Sequence, residues 1–193
     1  MTGTNSNVIV DAIARIFREY IIDANGMTSE NSYKYASTKL QSLKFALDDV
    51  SVFASMISGK YFSDEANYWT SGIFVSAAIN KIIKKDETIK LDFASLEHPA
   101  DCVGFRLEHG TIILHGNSGD YLGERMSGGK IIVEGNAGYY VGYSMSRGSI
   151  TVQGNSGGHL GRYMSGGVIK IEGQIGSIAK PCKGQIYQKG ILQ

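Results

Sequence analysis

The chain has only two cysteines in 193 residues, Cys102 and Cys182, and both fall outside its regular pattern. So few thiols argue for unpaired cysteines in a cytoplasmic protein; a bridge is open only if the two ends of the repeat region meet. They also leave no cysteine cluster to carry iron–sulfur, molybdenum or tungsten chemistry. An excess of one charge sign is lacking too: 19 Lys and Arg stand against 18 Asp and Glu, for a net charge of +1. Bulk electrostatics therefore point to neither a nucleic-acid nor a membrane partner. No apolar run approaches the ~18 residues of a membrane span, and no segment reads as a secretory signal. The four histidines show no zinc spacing. His109 and His115 would stand roughly 20 Å apart on an extended strand, so they cannot share a metal. No cofactor or metal site is expected. Glycine is scarce in one part alone, with three of the 25 before residue 70.

The remaining glycines mark a repeat. Residues 110–127, 129–146 and 148–165 align without gaps at a period of 19, and 167–173 begin a fourth unit. Each unit opens with Gly, runs through about five mostly apolar or β-branched residues, and then reads Gly-Asn-x-Gly-x-x-x-Gly. These signature positions are Gly116, Asn117, Gly119 and Gly123; Gly135, Asn136, Gly138 and Gly142; and Gly154, Asn155, Gly157 and Gly161. Ile112, Ile131, Ile150 and Ile169 form one apolar column, and Leu114, Val133, Val152 and Ile171 another, with polar residues between them. That alternation is a strand with a buried and a wet face. Leu122/Val141/Leu160 and Met126/Met145/Met164 add two further columns. One unit cannot bury its apolar side alone, but stacking buries it against the next. A right-handed parallel β-helix with one coil per unit fits this pattern. Its corners call for glycine, and the asparagines are expected to form a ladder. From Gly173 the pattern shortens by two residues, as a closing coil would.

The first 90 residues carry helical periods instead. Ile9, Ile13, Ile16, Phe17 and Tyr20 share one helix face. Tyr33, Ala36, Leu40, Leu43, Leu47, Val50, Ala54 and Ile57 follow spacings of 3 and 4, which predicts one long helix capped at Thr28, Ser29 or Asn31 and stopped by Gly59. A third helix is expected from Ser63, with Asp64 and Glu65 in its first turn, to about Lys85. Its apolar side holds Trp69, Ile73, Phe74, Ala77 and Ile82. These helices either cap the open end of the β-helix, whose strand edge must be covered, or pair with a second copy or another subunit. The expected class is α + β, with a helical bundle or cap over 1–90 and the β-helix over 91–193.

The strings GDYLGERMSGGKIIVEGNAG and GGHLGRYMSGGVIKIEG resemble the GxxGxxxG repeats (the GXGXG type) of the β-helical subunit of formylmethanofuran dehydrogenase. The same repeat builds the C-terminal domain of the large subunit of glutamate synthase. The resemblance covers about residues 100–190 and implies a non-catalytic β-helix that packs against catalytic domains or subunits. Any chemistry would then lie on other chains.

Candidate chemistry within this chain is thin. Residues 154–158 match G-x-S-x-G around Ser156, but the hydrolase motif needs a strand–elbow–helix context and later Asp and His partners. Asp120, Glu124, Arg125 and Arg162 could be neighbours across coils, as in glycan-acting β-helices; pairing of surface charges accounts for them as well. His159 shares a column with Tyr121 and Tyr140, which predicts an aromatic stack. The expected function is a structural or assembly subunit of an oxidoreductase-type complex. Protein partners would dock on Tyr121, Tyr139, Tyr140, Tyr143, Arg162 and Tyr163, and homo-oligomerisation would run through the N-terminal helices. The rival is a free-standing esterase or glycan hydrolase; a third reading is a self-assembling oligomer.

Overall fold

A computed structural model describes residues 3–60, 68–94, 96, 98–180 and 182–193. Four helices, α1 (Gly3–Asp23), α2 (Ser29–Leu40), α3 (Leu47–Lys60) and α4 (Tyr68–Ile82), precede seven strands. The strands are β1 (Thr88–Asp92), β2 (Thr111–His115), β3 (Ser127–Val133), β4 (Arg147–Val152), β5 (Val168–Ile171), β6 (Gln185–Gln188) and β7 (Ile191–Leu192). They form one sheet in chain order, parallel from β1 to β6. The chain is a parallel β-solenoid of about five turns under an N-terminal helical cap.

The register follows the sequence columns. Ile112 lies opposite Ile131, Ile131 opposite Ile150, and Ile150 opposite Ile169. All four are buried, as are the two Leu/Val columns and the methionine column. The closing coil is shorter by two, since Val168 pairs with Gln185, and Lys189 and Gly190 (φ 47 and 78) then turn the chain back. β7 pairs antiparallel with β6 across that two-residue turn.

The solenoid also begins earlier than the visible repeat. β1 pairs with β2 at a longer offset, Thr88 opposite Thr111, so this coil hides from a search at fixed period. Its second half keeps the pattern, with Val103, Gly104 and Leu107 standing one period before Leu122, Gly123 and Met126. Gly104, Gly123, Gly142 and Gly161 all have φ between 65 and 75. A Cβ on Gly123 would meet Ile150 Cδ1 at 2.5 Å, and one on Gly142 would meet Ile169 Cδ1 at 2.5 Å, so this column needs glycine for both dihedral and space.

The asparagine ladder is present. Asn117 Oδ1 accepts the N–H of Asn136 at 2.8 Å, Asn136 Oδ1 that of Asn155 at 2.8 Å, and Asn155 Oδ1 that of Gln174 at 2.8 Å. The asparagines act as acceptors; the left-handed non-glycine residues are elsewhere, at Tyr121, Tyr140, His159, Arg125, Ser144 and Tyr163 among others.

The predicted long helix is two helices, α2 and α3, broken over 41–46. Spacing alone passes through the break because Leu43 still packs on the core. Two polar devices make the break. Lys81 Nζ donates to the carbonyls of Leu40, Gln41 and Leu43, capping the end of α2. Asp49 Oδ2 accepts the Ala46 N–H at 2.8 Å, which opens α3. Thr28 is the N-cap of α2, accepting from the Asn31 N–H. α3 runs through Gly59 to Lys60. Ser63, Asp64 and Glu65 lie outside the described residues, as do the side chains of Ile57 and Trp69. The a/d-type residues Ala36, Leu40, Val50 and Ala54 are fully buried inside the protein.

The helices and the coils share one core. α3 lies along β1 and covers the first edge of the sheet. α4 approaches the first coil so closely that a Cβ on Gly72 would fall 1.7 Å from the Asp101 carbonyl oxygen. One turn on, Ser76 Oγ donates to the Gly72 carbonyl at 2.6 Å and accepts the N–H groups of Gly104 (2.9 Å) and Phe105 (3.2 Å). Gly72→Ala is expected to destabilise the protein by about 3 kcal/mol, although Ala is the better helix former. Ser76→Ala strands the buried Gly104 N–H, while the Phe105 N–H keeps the Cys102 carbonyl at 3.1 Å, at a cost of about 1–3 kcal/mol. Urea unfolding measures both, and parent-like midpoints would contradict this docking.

Candidate functional site: the ring ladder on the coil face

The rings on the coil surface are held by an unusual backbone. Tyr121, Tyr140 and His159 occupy one corner column, each left-handed with φ of 57, 60 and 61. Left-handed geometry at a non-glycine residue costs roughly 1–2 kcal/mol. In return each corner N–H points along the solenoid: Tyr121 N–H bonds the Tyr139 carbonyl at 2.9 Å, and Tyr140 N–H that of Gly158 at 3.0 Å. The side chains are thrown outward and stack. Tyr121 and Tyr140 lie 4.7 Å apart at 12°, and Tyr140 and His159 5.0 Å apart at 11°. Such pairs contribute about 0.5–1.5 kcal/mol each, comparable to the dihedral cost.

Tyr143 meets Tyr121 edge-on at 5.6 Å, and Tyr163 meets Tyr143 edge-on at 5.4 Å. Arg162 lies over the Tyr163 ring at 5.1 Å and donates to its Oη at 3.3 Å. Five of the six residues expected on this face, with His159, therefore form one continuous cluster. Tyr139 stands apart, 54% exposed, with its N–H on Asp120 Oδ1 at 2.8 Å. The column begins at Cys102, buried beneath the helices, and ends at the exposed His159.

The charges regroup in a way the sequence pattern does not show. Glu124 is no surface charge: it is buried at the seam with the helical cap, accepting from Ser29 Oγ at 3.3 Å and facing Cys102 Sγ at 3.9 Å. Burial pushes its carboxyl up and raises the Cys102 thiol further still. Just outside, Glu30 of α2 pairs with Arg106 at 2.9 Å and Arg125 at 3.4 Å, tying the helix to two successive coils. Asp120 and Arg162 are in neither group. Glu30, Arg106 and Asp101 do not stand out in the sequence; the available signals are the Arg106/Arg125 and Asp101/Asp120 columns, which reach one coil before the visible repeat. Asp101 Oδ1 accepts the Asp120 N–H at 2.7 Å, and burial pushes its carboxyl to about 6.

Ser156 is buried in the column Ser118, Ala137, Ser156, Ile175, and its Oγ has no hydrogen-bond partner among the described residues. All described helices lie before Thr88, so no helix follows the Gly154–Gly158 stretch to form an elbow. His115 pairs with Glu134 at 2.7 Å, which raises its pKa. Cys102 and Cys182 are both free. Among the described residues, no group of three His, Cys, Asp or Glu side chains could hold a metal, and no helix is long and apolar enough to cross a membrane. Comparison with protein-family models, curated proteins and solved structures finds no match to this chain.

Two outcomes are expected. Ser156→Ala should fold with stability equal to the parent or about 1 kcal/mol higher, because it removes an unpaired buried hydroxyl and recreates the Ala137 environment; thermal unfolding decides. Asp101 has a folded pKa above its ordinary 3.8, so its stabilising contribution is complete at low pH and is lost as pH rises through about 6. Asp101→Asn keeps the acceptor for the Asp120 N–H. It should therefore lose less stability than the parent across that window, measured by urea midpoints at its two ends; equal losses would contradict the assignment.

Proposed function

We propose that this chain is a non-catalytic structural or assembly subunit that offers its coil face to a protein partner. The observation that carries the reading is the ring cluster itself: tyrosines and an arginine packed against one another on the coil face, with Tyr163 59% exposed and Tyr139, outside the cluster, 54% exposed. Rigid aromatic and arginine anchors bind with little loss of side-chain freedom and are enriched in interface hot spots. The resemblance of the Met-Ser-Gly-Gly-bearing coils to the GXGXG repeats of formylmethanofuran dehydrogenase and of glutamate synthase suggests the kind of assembly. On this reading the partners are catalytic chains of a cytoplasmic oxidoreductase, and the two unpaired thiols agree with a reducing compartment. The buried a/d-type residues of α2 and α3 serve the cap, so contacts between copies through the helices would have to use their outer faces.

Tagged purification from the native cell should recover the chain in fixed ratio with flavin, iron–sulfur or amidotransferase subunits. Tyr139→Ala with Tyr163→Ala should then weaken that association by about tenfold or more, while folding stability falls by only about 0.5–1.5 kcal/mol for the lost Tyr143–Tyr163 contact. Recovery as a lone homo-oligomer would overturn the proposal.

A further inference from the structure

The ring ladder stops one coil before the solenoid does, for a definite structural reason. Ser156 bridges to Ile175 at the full period, but Leu160 bridges to Ile178, one residue short. The residue removed is the ring-bearing corner. Opposite His159 the closing coil offers Ser177, whose Oγ accepts the His159 N–H at 3.0 Å, while Leu160 N–H takes the Ser177 carbonyl at 3.0 Å. A cavity of about 420 Å³ lies at this level, lined by His159, Arg162, Tyr163, Ser177, Ile178, Ala179 and Lys180. One face of the imidazole is covered by Tyr140, nearly parallel at 11°. His159 itself lines the cavity, and the closing coil places no ring on its other side, at the level a fourth ring would occupy.

The lining is chemically one-sided. Among the described residues it holds two cations, Arg162 and Lys180, and no carboxylate. The Arg162 guanidinium is steadied by the Tyr163 ring and hydroxyl. Ile178 and Ala179 supply an apolar side, and Ser177 a hydroxyl. A pre-stacked ring with a free face attracts a planar aromatic group of any kind. A guanidinium and an ammonium beside it select one that carries negative charge. The volume falls in the range of small-ligand sites.

We infer that this cavity binds a planar aromatic anion the size of a mononucleotide, with its ring as the next rung on His159 and its anionic group on Arg162 and Lys180. The cavity shares Arg162 and Tyr163 with the proposed partner face but not Tyr139, so the two readings are separated at Tyr139.

The test uses the full chain and AMP as probe, with adenosine and inorganic phosphate as partial probes, followed by calorimetry. AMP should bind, and each partial probe should bind at least about tenfold more weakly, since stacking and charge act together. His159→Ala should weaken AMP by about tenfold and Arg162→Ala by a similar factor. His159→Tyr, which restores the ring type of its column, should retain binding and guards against a folding artefact. Tyr139→Ala should leave AMP binding unchanged while weakening any partner, which separates this inference from the assembly reading. Absence of AMP binding, phosphate binding as tight as AMP, or affinity unchanged in both His159→Ala and Arg162→Ala would each overturn it. Tighter binding of single-stranded RNA than of AMP, lost in the same variants, would also overturn it in favour of a nucleic-acid groove.

Discussion

The close approach of α4 to the first coil is the contact on which the rest of the structure depends. A parallel solenoid exposes the backbone of its first rung and a cross-section of its apolar interior, and neither tolerates water well. Here a bare stretch of helix, Gly72, meets the Asp101 carbonyl, and the Ser76 hydroxyl satisfies the N–H groups of Gly104 and Phe105. Those two residues belong to the same corner that each later coil reproduces. Because the first corner is fixed by a helix rather than by a preceding coil, the second has a template, and so on along the stack. Tyr20 reinforces the arrangement from the other side, bonding the Thr70 carbonyl at 3.1 Å and Ser32 Oγ at 2.6 Å within the cap. The helices thus act as the coil that comes before the first coil.

What is legible in the sequence is what the stack repeats. The isoleucine and methionine columns, the asparagine ladder and the ring stack all arise from one period, and each needs only its neighbours above and below. What is not legible arises where the period fails or where two different elements meet. The first coil carries a longer β1–β2 offset, which conceals its matching corner at residues 102–107. The break between α2 and α3 leaves the apolar spacing intact and is made by Lys81, roughly forty residues downstream. Glu124 occupies a surface position in its repeat column, yet α2 lies over it. Its burial belongs to the cap, and no property of the repeat contains it.

The coil face illustrates how a local cost becomes a shape. Left-handed corners at Tyr121, Tyr140 and His159 would be unfavourable singly. Stacked one period apart, they aim three rings along a common axis and let each corner N–H reach the next coil. The ladder is rigid because its backbone and its rings are fixed by the same repeat. Deletion of a single residue in the closing coil is then enough to end the stack while the sheet beside it continues through β6.

The reversal at β7 bears on growth. Every earlier rung advances in one sense and presents the next with the same edge. The turn at Lys189 and Gly190 sends the chain backwards, so the outermost edge is two residues long and runs against that sense. α3 stands across the other end. Repeat folds whose two open ends are complementary can add copies head to tail without limit and form fibres. Among the described residues this one has two different ends, one helical and one antiparallel, and neither repeats the edge that the inner coils present to each other.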